Sequence, residues 1–172
     1  SDDREYSGKV IGKDAKTDLA IIKIKPSGKL FVAKLGDSDK IRVGDWAIAI
    51  GSPFGLEQTV TVGIISAKRQ NVEEQGNVYR DVIQTDASIN RGNSGGPLVN
   101  IHGEIIGINT LIYSQSGGSV GVGFAIPINR AKEILETLKT KGKVERGFLG
   151  VGQLENVNDV FAKQYGLKEK SG

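Results

Sequence analysis

The sequence contains no cysteine and no methionine, a single histidine and only four prolines. Without cysteine it forms no disulfide and offers no thiolate to a metal. It also lacks any apolar run that approaches the roughly 18 residues of a membrane-spanning helix. The net charge of +3 is small and the charged residues are dispersed, unlike the basic patch of a nucleic-acid-binding protein. We therefore expect no nucleic acid partner, no metal and no other cofactor.

The length and the glycine content indicate the class of fold. A chain of 172 residues can fill one large domain or two small ones. Because it opens at Ser1 and has no methionine, we expect it to be part of a longer protein. Glycine, at 24 residues, is about twice as frequent as usual. Together with many short apolar runs, this composition predicts an all-β structure with tight turns.

The hydrophobic pattern predicts a series of short strands. The polar, charged segment 68–76 interrupts this series, and we interpret it as an exposed loop. The predicted strands are 5–11, 19–24, 31–35, 46–50, 58–67, 78–85, 97–101, 104–108 and 120–126.

After the strands, the period of the pattern changes to that of a helix. Four apolar residues then recur at helical spacing, with Asn129 before them as the predicted N-cap and Gly142 after them as the predicted stop. A second short helix is predicted over 158–165, ending at Gly166. The four apolar residues are Ala131, Ile134, Leu135 and Leu138.

Ser94 lies among Gly92, Gly95 and Gly96, directly before an apolar strand-like run. Glycine permits positive φ and the close approach of another backbone. A serine in such a loop can hold its hydroxyl outward, with nearby amides directed at the place where an oxyanion forms during acyl transfer. The alternative is a glycine-rich turn with an incidental serine.

Residues 92–96 also match Gly-x-Ser-x-Gly, the nucleophile elbow of α/β-hydrolases. That elbow requires a strand before the serine and a helix after it. Here the serine is followed by a strand, a tight turn at 100–103 and another strand. The context therefore favours an antiparallel β-barrel serine protease over an α/β-hydrolase.

Eight segments together resemble the HtrA/DegP family of serine proteases, in the family's order and over nearly the whole chain. They are 17–24, 36–38, 44–51, 84–87, 92–96, 107–110, 123–127 and 147–151. The resemblance implies an all-β, trypsin-like double β-barrel, whose first barrel is incomplete in this chain, with a C-terminal helix. It also implies a protease domain over 1–142, followed over 143–172 by a linker and the truncated start of a PDZ domain.

The resemblance assigns the catalytic roles to residues of this sequence. Ser94 would be the nucleophile, and the amides of Gly92 and Ser94 would form the oxyanion hole. Asp18 would be the buried acid that orients the histidine and stabilises its protonated form. Without the resemblance, Asp18 would be interpreted as a carboxylate at the entry of a strand. Asp86 is a rival acid, but its place before the nucleophile loop favours a structural hydrogen-bonding role.

The resemblance also indicates where a substrate would bind. Ile89 and Ile112 would line the S1 pocket, although both could equally be ordinary core residues. The backbone of 109–111 would pair with an extended substrate. Segment 68–81 resembles the family's sensor loop and 111–118 its specificity loop. Segment 147–151 resembles a carboxylate-binding loop, but the rest of that site is absent, so we expect no binding of peptide C-termini.

The family's catalytic histidine lies before Asp18, in a segment that this sequence does not contain. His102, the only histidine present, follows Ser94 across the strand-like run 97–101. A strand advances about 3.3 Å per residue, which places His102 on the order of 15 Å or more from the serine. A general base must come within about 3 Å. We therefore expect His102 to be an exposed turn residue, and the sequence as it stands to be nearly inert.

The resemblance implies an ATP-independent serine endopeptidase of protein quality control. Its partners would be unfolded or misfolded proteins, in the periplasm or elsewhere in the cell envelope, and it would assemble as a homotrimer or a trimer-based oligomer. The alternative is a non-catalytic, chaperone-like binder of extended polypeptide. An intact Ser94 loop argues against that alternative, because a non-catalytic relative has no need of the serine.

Overall fold

The computed structural model describes residues 5–52, 58–74, 77–114, 118–147, 150 and 156–168. Over these residues the chain consists mainly of strands, with two helices near its end. In order, they are β1 (Gly8–Asp14), β2 (Leu19–Ile24), β3 (Trp46–Gly51), β4 (Thr59–Glu74), β5 (Asn77–Thr85), β6 (Pro97–Val99), β7 (Ile105–Ile112), β8 (Gly123–Pro127), α1 (Ile128–Lys141) and α2 (Asp159–Tyr165).

Six of the strands form a closed barrel in the order β3-β4-β5-β8-β7-β6, with antiparallel pairing throughout. β1 and β2 form a separate antiparallel hairpin. The closed barrel agrees with the β-barrel fold that the resemblance implies. The segment that carries Ser94 connects β5 to β6, and Asp18 lies in the turn between β1 and β2. The two predicted catalytic residues therefore come from the two different sheets.

The barrel interior is filled by apolar side chains that alternate along the strands with outward-facing ones. On β3, Ala47 and Ala49 are fully buried whereas Trp46 points outward. Small residues on one strand leave room for larger side chains from the others, as close packing requires. The buried cluster consists of Ile41, Ala47, Ala49, Ile65, Ile83, Ala87, Ile89, Leu98, Ile106 and Ala125.

Helix α1 joins the hairpin to the barrel, since it contacts the hairpin strands β1 and β2 as well as the barrel strands β7 and β8. Leu138 is 1% exposed, and its carbonyl lies so close to Gly12 that a side chain there would collide with it. The helix ends at Gly142 in the left-handed conformation, as predicted. No helix in the described part of the chain is long and apolar enough to cross a membrane.

The second predicted helix is confirmed. The Asn158 side chain accepts hydrogen bonds from the amides of Val160 and Phe161, at 3.1 and 2.9 Å. These bonds satisfy donors that the first helical turn leaves free. Gly166 ends the helix with a positive φ.

The prediction of a loop over 68–76 is wrong for most of that segment. β4 continues to Glu74, and its last residues pair with β5 from Lys68↔Ile83 to Glu74↔Asn77. Lys68, Arg69 and Glu73 are exposed, so this part of the hairpin lies against water. The backbone ladder holds it in place, and the apolar alternation on which the prediction depended is absent.

Two other strand predictions are also corrected. Residues 31–35 form no strand, and only Leu35 makes an isolated bridge, to Ile105. Phe31 and Val32 are almost fully exposed, so in the described structure no neighbouring strand covers their apolar side chains. The predicted strand 5–11 begins later, at Gly8, because its pairing with β2 runs from Gly8 to Asp14.

The predicted N-cap at Asn129 is also wrong. The helix begins at Ile128, two residues earlier than a cap at Asn129 implies, and its cap position, Pro127, makes no side-chain cap bond. The Asn129 side chain instead donates to Asp37 at 2.8 Å, and its amide donates to the Ser38 hydroxyl at 3.1 Å. The side chain of Asn129 is therefore engaged with the segment before β3 and does not cap the helix.

Candidate active site

Two backbone conformations shape the loop that carries Ser94. Gly92 and Gly95 have φ of 106° and 86°, in the left-handed region that side chains rarely adopt. A side chain at Gly96 would collide with the Ile50 carbonyl oxygen of β3. Glycines are therefore required at these positions by geometry. Ser94 itself is exposed.

Hydrogen bonds hold this loop against two barrel strands. The Gly95 amide donates to the Asn109 carbonyl at 2.8 Å, and the Asn109 amide donates to the Gly96 carbonyl at 2.9 Å. On the other side, the Ser52 amide donates to the Gly92 carbonyl at 3.3 Å. The loop is thus held by Asn109, in the middle of β7, and by Ser52, directly after β3. These two attachments give Ser94 a defined place on a rigid scaffold.

Asn93 lies between the two predicted oxyanion amides and is 1% exposed. Its side-chain amide donates to the Ser88 carbonyl at 3.3 Å. The backbone amide of Asn93 donates to the Asn90 carbonyl at 3.0 Å. The neighbouring amides of Gly92 and Ser94 donate to no backbone carbonyl within the described residues. Among the described residues, neither amide thus has a backbone acceptor that would compete with a substrate oxygen, and an oxyanion hole needs such amides.

Thr110, on β7, connects the two predicted catalytic side chains. The Ser94 hydroxyl donates to the Thr110 carbonyl at 2.9 Å. The Thr110 hydroxyl donates to Oδ2 of Asp18 at 3.1 Å. The structure thus brings Ser94 and Asp18 into hydrogen-bonding contact with the same residue. Thr110 lies in a segment that resembles the family, but no local pattern indicates its role, because its contact with Asp18 spans 92 positions of the sequence.

Asp18 departs from the expected burial, because its side chain is exposed in this structure. Its φ is 57°, in the left-handed region, although it is not a glycine. Asp and Asn adopt this conformation more readily than other side chains. Such backbone conformations persist only where the surroundings impose them, and they concentrate at functional sites.

Asp86 has the structural role that its position indicated. Its Oδ1 accepts a hydrogen bond from the Ile64 amide at 2.7 Å. The neighbouring Thr85 hydroxyl donates to the Ile64 carbonyl at 2.7 Å. Together these bonds tie the entrance of the Ser94 loop to β4. Asp86 is thereby engaged with backbone.

The two predicted S1 residues differ in their surroundings. Ile89 is 1% exposed and belongs to the buried cluster, where it packs against Gly123. Ile112, at the end of β7, is only partly buried and packs against the same cluster. Ile112 is therefore the more accessible of the two side chains, and Ile89 is part of the core. Residues 115–117 of the predicted specificity loop lie outside the described residues.

His102 is an exposed turn residue, as expected. β6 and β7 pair from Pro97↔Ile108 to Val99↔Ile105, which places the turn at the end of the hairpin away from Ser94. His102 lines a surface groove of about 850 Å³ that includes neither Ser94 nor Asp18. It is therefore far from the predicted nucleophile in the topology of the sheet.

A buried ion pair near Asp18 was not found from the sequence. Asp14 is 8% exposed, and its carboxylate binds the Arg146 guanidinium through two bonds of 2.8 and 2.6 Å. The Thr17 hydroxyl also donates to this carboxylate, at 2.6 Å. These bonds hold the pKa of Asp14 well below its usual value, with Arg146 as the main cause, and raise the pKa of Arg146. Within the described residues, no group of three acidic, histidine or cysteine side chains is placed to hold a metal.

The comparison with protein families gives the class of protein. A family model for the trypsin-like peptidase domain matches residues 1–108. The chain therefore belongs to the trypsin-like peptidase family.

Individual relatives indicate which kind of trypsin-like peptidase the chain resembles. It is 52% identical over 171 residues to a probable periplasmic serine endoprotease, DegP-like, of Chlamydia trachomatis, and 47% identical over 172 residues to one of Rhizobium meliloti. These matches cover 99% and 100% of this chain and 34% of each relative. Among trypsin-like peptidases, the chain is HtrA/DegP-like, as the sequence predicted.

Solved structures confirm the predicted trypsin-like fold. The HtrA-type protease AlgW with a decapeptide superposes with a TM-score of 0.84 at 49% identity, over 98% of this chain and 51% of that one. AlgW with a tripeptide gives a TM-score of 0.79 at 49% identity, over 94% of this chain and 52% of that one. The chain thus spans about half the length of these solved chains and about a third of its curated relatives.

Proposed function

We propose that this chain is the catalytic part of a serine endopeptidase that works through an acyl-enzyme. One observation carries the proposal: an exposed Ser94 hydroxyl, in a loop with two unengaged amides, is joined through Thr110 to Asp18. A nucleophile, an oxyanion site and an orienting acid are the elements that the serine protease mechanism requires.

In this mechanism the Ser94 Oγ attacks the scissile carbonyl, and the amides of Gly92 and Ser94 stabilise the oxyanion. A histidine from before Asp18 in the longer protein takes the serine proton and returns it to the leaving amine. Asp18 orients that histidine and stabilises its cationic form. In forming this arrangement, the Ser94 hydroxyl leaves the Thr110 carbonyl, which holds it at 2.9 Å.

The proposed substrates are unfolded or misfolded proteins, cleaved without ATP in the cell envelope. Support comes from relatives that are named probable periplasmic endoproteases and from the peptide complexes of AlgW.

Ile89 and Ile112 form an apolar S1 pocket, with Ile112 as its accessible wall. The protease domain covers 1–142, and 143–172 consists of a linker and the start of a PDZ domain. The longer protein assembles as a trimer or a multiple of trimers.

The second candidate is a chaperone-like binder that holds extended polypeptides without cleaving them. The glycine geometry of the Ser94 loop weighs against it. A binder needs neither an exposed hydroxyl nor unengaged amides beside it, and such amides lose hydrogen bonds that a structural loop would make.

Hydrolysis of unfolded casein by the full-length protein, with a chelator present and no nucleotide, tests the proposal. We expect cleavage, and we expect Ser94→Ala to abolish it while peptide binding remains. The matched control is Ser88→Ala, which removes an exposed serine six residues earlier and should cleave as the wild type does. Binding of casein without cleavage by the wild type would favour the chaperone-like alternative.

A further inference from the structure

The buried ion pair between Asp14 and Arg146 connects two distant parts of the chain. Asp14 ends β1, and Arg146 lies 132 positions later, beyond helix α1. The Arg146 side chain is 32% exposed, and that of Asp14 is 7% exposed. Each of the two terminal guanidinium nitrogens donates to one carboxylate oxygen of Asp14, at 2.8 and 2.6 Å. Lysine cannot reproduce this planar, two-point contact.

A second contact fixes the same two segments together. The Lys13 amide, next to Asp14, donates to the carbonyl of Gly142 at 3.1 Å. The segment that follows α1 is thus bound to the end of β1 through backbone as well as side chains. Two neighbouring attachments define the orientation of Arg146 better than a lone surface ion pair would.

Thr17 carries this contact to the turn that holds Asp18. Its hydroxyl donates to Oδ2 of Asp14 at 2.6 Å, and its side chain is 9% exposed. Asp18 is the next residue, and its backbone has the left-handed φ of 57°. Aspartate adopts that conformation more readily than most side chains, but it remains less favourable than the right-handed one, and neighbouring bonds help to hold it. β1 and β2 pair at Asp14↔Leu19 across this turn, and the largely buried Thr17–Asp14–Arg146 network adds side-chain bonds directly beside Asp18.

The exposed Asp18 carboxylate has little support of its own. Among the described residues, it accepts a hydrogen bond from the Thr110 hydroxyl at 3.1 Å. Its direction therefore depends on the backbone of the turn. A displacement of Thr17 would turn Asp18 away from Thr110 and from the histidine that the proposed function places beside it.

We propose that Arg146 is a positioning residue for catalysis, which acts through Asp14 and Thr17 to set the direction of Asp18. The inference rests on the proposed function, in which Asp18 is the catalytic acid. It has a further consequence: the segment after α1 is mechanically coupled to the catalytic acid. Loss of the Arg146 contact releases the turn and leaves the nucleophile loop, which Arg146 does not touch, in place.

The test uses the full-length protein and substitutions at the link itself. Thr17→Val removes the hydroxyl at nearly constant volume, and Thr17→Ser retains it. We expect Thr17→Val to lower kcat about tenfold, less than the hundredfold that a misplacement of about 1 Å can cost, with KM nearly unchanged. Thr17→Ser should stay near the wild type. Arg146→Met should resemble Thr17→Val, and Arg146→Lys should fall between it and the wild type.

The pH profile distinguishes positioning from a general loss of structure. The acidic limb of kcat/KM reports the pKa of the general base in the free enzyme. A correctly placed Asp18 carboxylate raises the pKa of that histidine, so a misdirected one lets it fall. The limb should therefore move to lower pH by about half a unit or more in Thr17→Val and Arg146→Met. Titration with a fluorophosphonate gives the active fraction, by which each kcat is corrected.

Two controls separate the possible outcomes. Arg42→Met removes an exposed arginine that pairs with Asp45 at 3.4 Å, and it should leave kcat and the limb unchanged. Asp18→Asn should lower kcat severely, and an active Asp18→Asn would refute the proposed function itself. If Asp18→Asn is inactive while Thr17→Val and Arg146→Met keep the wild-type kcat and limb, the positioning role is wrong. It is equally wrong if their loss of activity equals the loss of active fraction and the limb does not move.

Discussion

The contact between Asp14 and Arg146 predicts a specific loss of stability in Asp14→Asn. Breaking a buried ion pair costs roughly 3–5 kcal/mol, whereas an exposed pair contributes less than about 1 kcal/mol. The Asp14 side chain is 7% exposed but that of Arg146 is 32% exposed, so water screens one partner. We therefore expect a loss of about 2 kcal/mol in the free energy of unfolding at pH 7. For a domain of this size, that corresponds to a Tm lower by about 4–8 °C.

The pH dependence of this effect has a definite sign. Arg146 first, and then the Thr17 hydroxyl, lowers the pKa of Asp14 in the folded state below its unfolded value. A carboxylate of this kind contributes stability that is fully present above the unfolded pKa of about 3.9. That contribution is lost as the pH falls below about 4 and the carboxylate takes up a proton. The wild type and Asp14→Asn should thus differ most above pH 5 and converge toward pH 2.

Calorimetry of the full-length protein, following the transition of the protease domain between pH 2 and pH 7, measures both effects. Asp45→Asn is the matched control, because Asp45 forms an exposed pair with Arg42 at 3.4 Å, and it should change Tm by less than about 2 °C. An Asp14→Asn protein with the wild-type Tm at pH 7 would contradict the structural role of the pair. So would a Tm difference that stays constant down to pH 2.

Three further predictions concern the site and its surroundings. His102→Ala should leave kcat/KM of the full-length protein within about threefold of the wild type, and a collapse of activity with the fold intact by circular dichroism would refute its position in a distant turn. In Gly51→Ala the new Cβ would lie 2.6 Å from the Asn93 Cα, so fluorophosphonate labelling should slow about a hundredfold; an unchanged labelling rate would show that the loop is not held as described. Mass spectrometry of cleaved casein should find aliphatic residues before the cut, with discrimination of about 1–3 kcal/mol per methylene. Ile112→Ala should broaden this choice, whereas a preference for Arg or Lys in the wild type would contradict the apolar pocket.

Much of the barrel could be predicted because its signals are local. β3 alternates buried and outward-facing residues, which is the pattern that identifies a strand. Gly103 has a φ of 72°, as expected of the glycine in a tight turn. The Asn158 cap and the Gly166 stop lie within α2's own ends. In each case the deciding interactions lie within a few residues of one another.

Other features depend on contacts that no local pattern reports. The outer part of the β4–β5 hairpin is polar, and only its backbone ladder makes it a strand. Asn129 has the right residue type for a cap, yet Asp37, 92 positions away, binds its side chain. Tertiary contacts of this kind override local propensity.

The residues of the candidate site also fall into two groups, those that a local pattern indicates and those whose roles depend on distant contacts. The glycines around Ser94 indicated the nucleophile loop, because their backbone geometry follows from their residue type. Thr110 and Arg146 carried no such signal, since threonine and arginine are common in many settings. Their roles follow from partners 92 and 132 positions away. The resemblance identified Asp18, but it did not indicate how the turn that carries Asp18 is held.

The identity of the nucleophile is the central claim, and one measurement tests it directly. The full-length protein is treated with a fluorophosphonate, digested with trypsin and analysed by mass spectrometry. We predict a single adduct on Ser94, in the peptide that begins at Gly92 after cleavage behind Arg91. An adduct on another residue, or equal labelling of Ser94→Ala, would contradict the account.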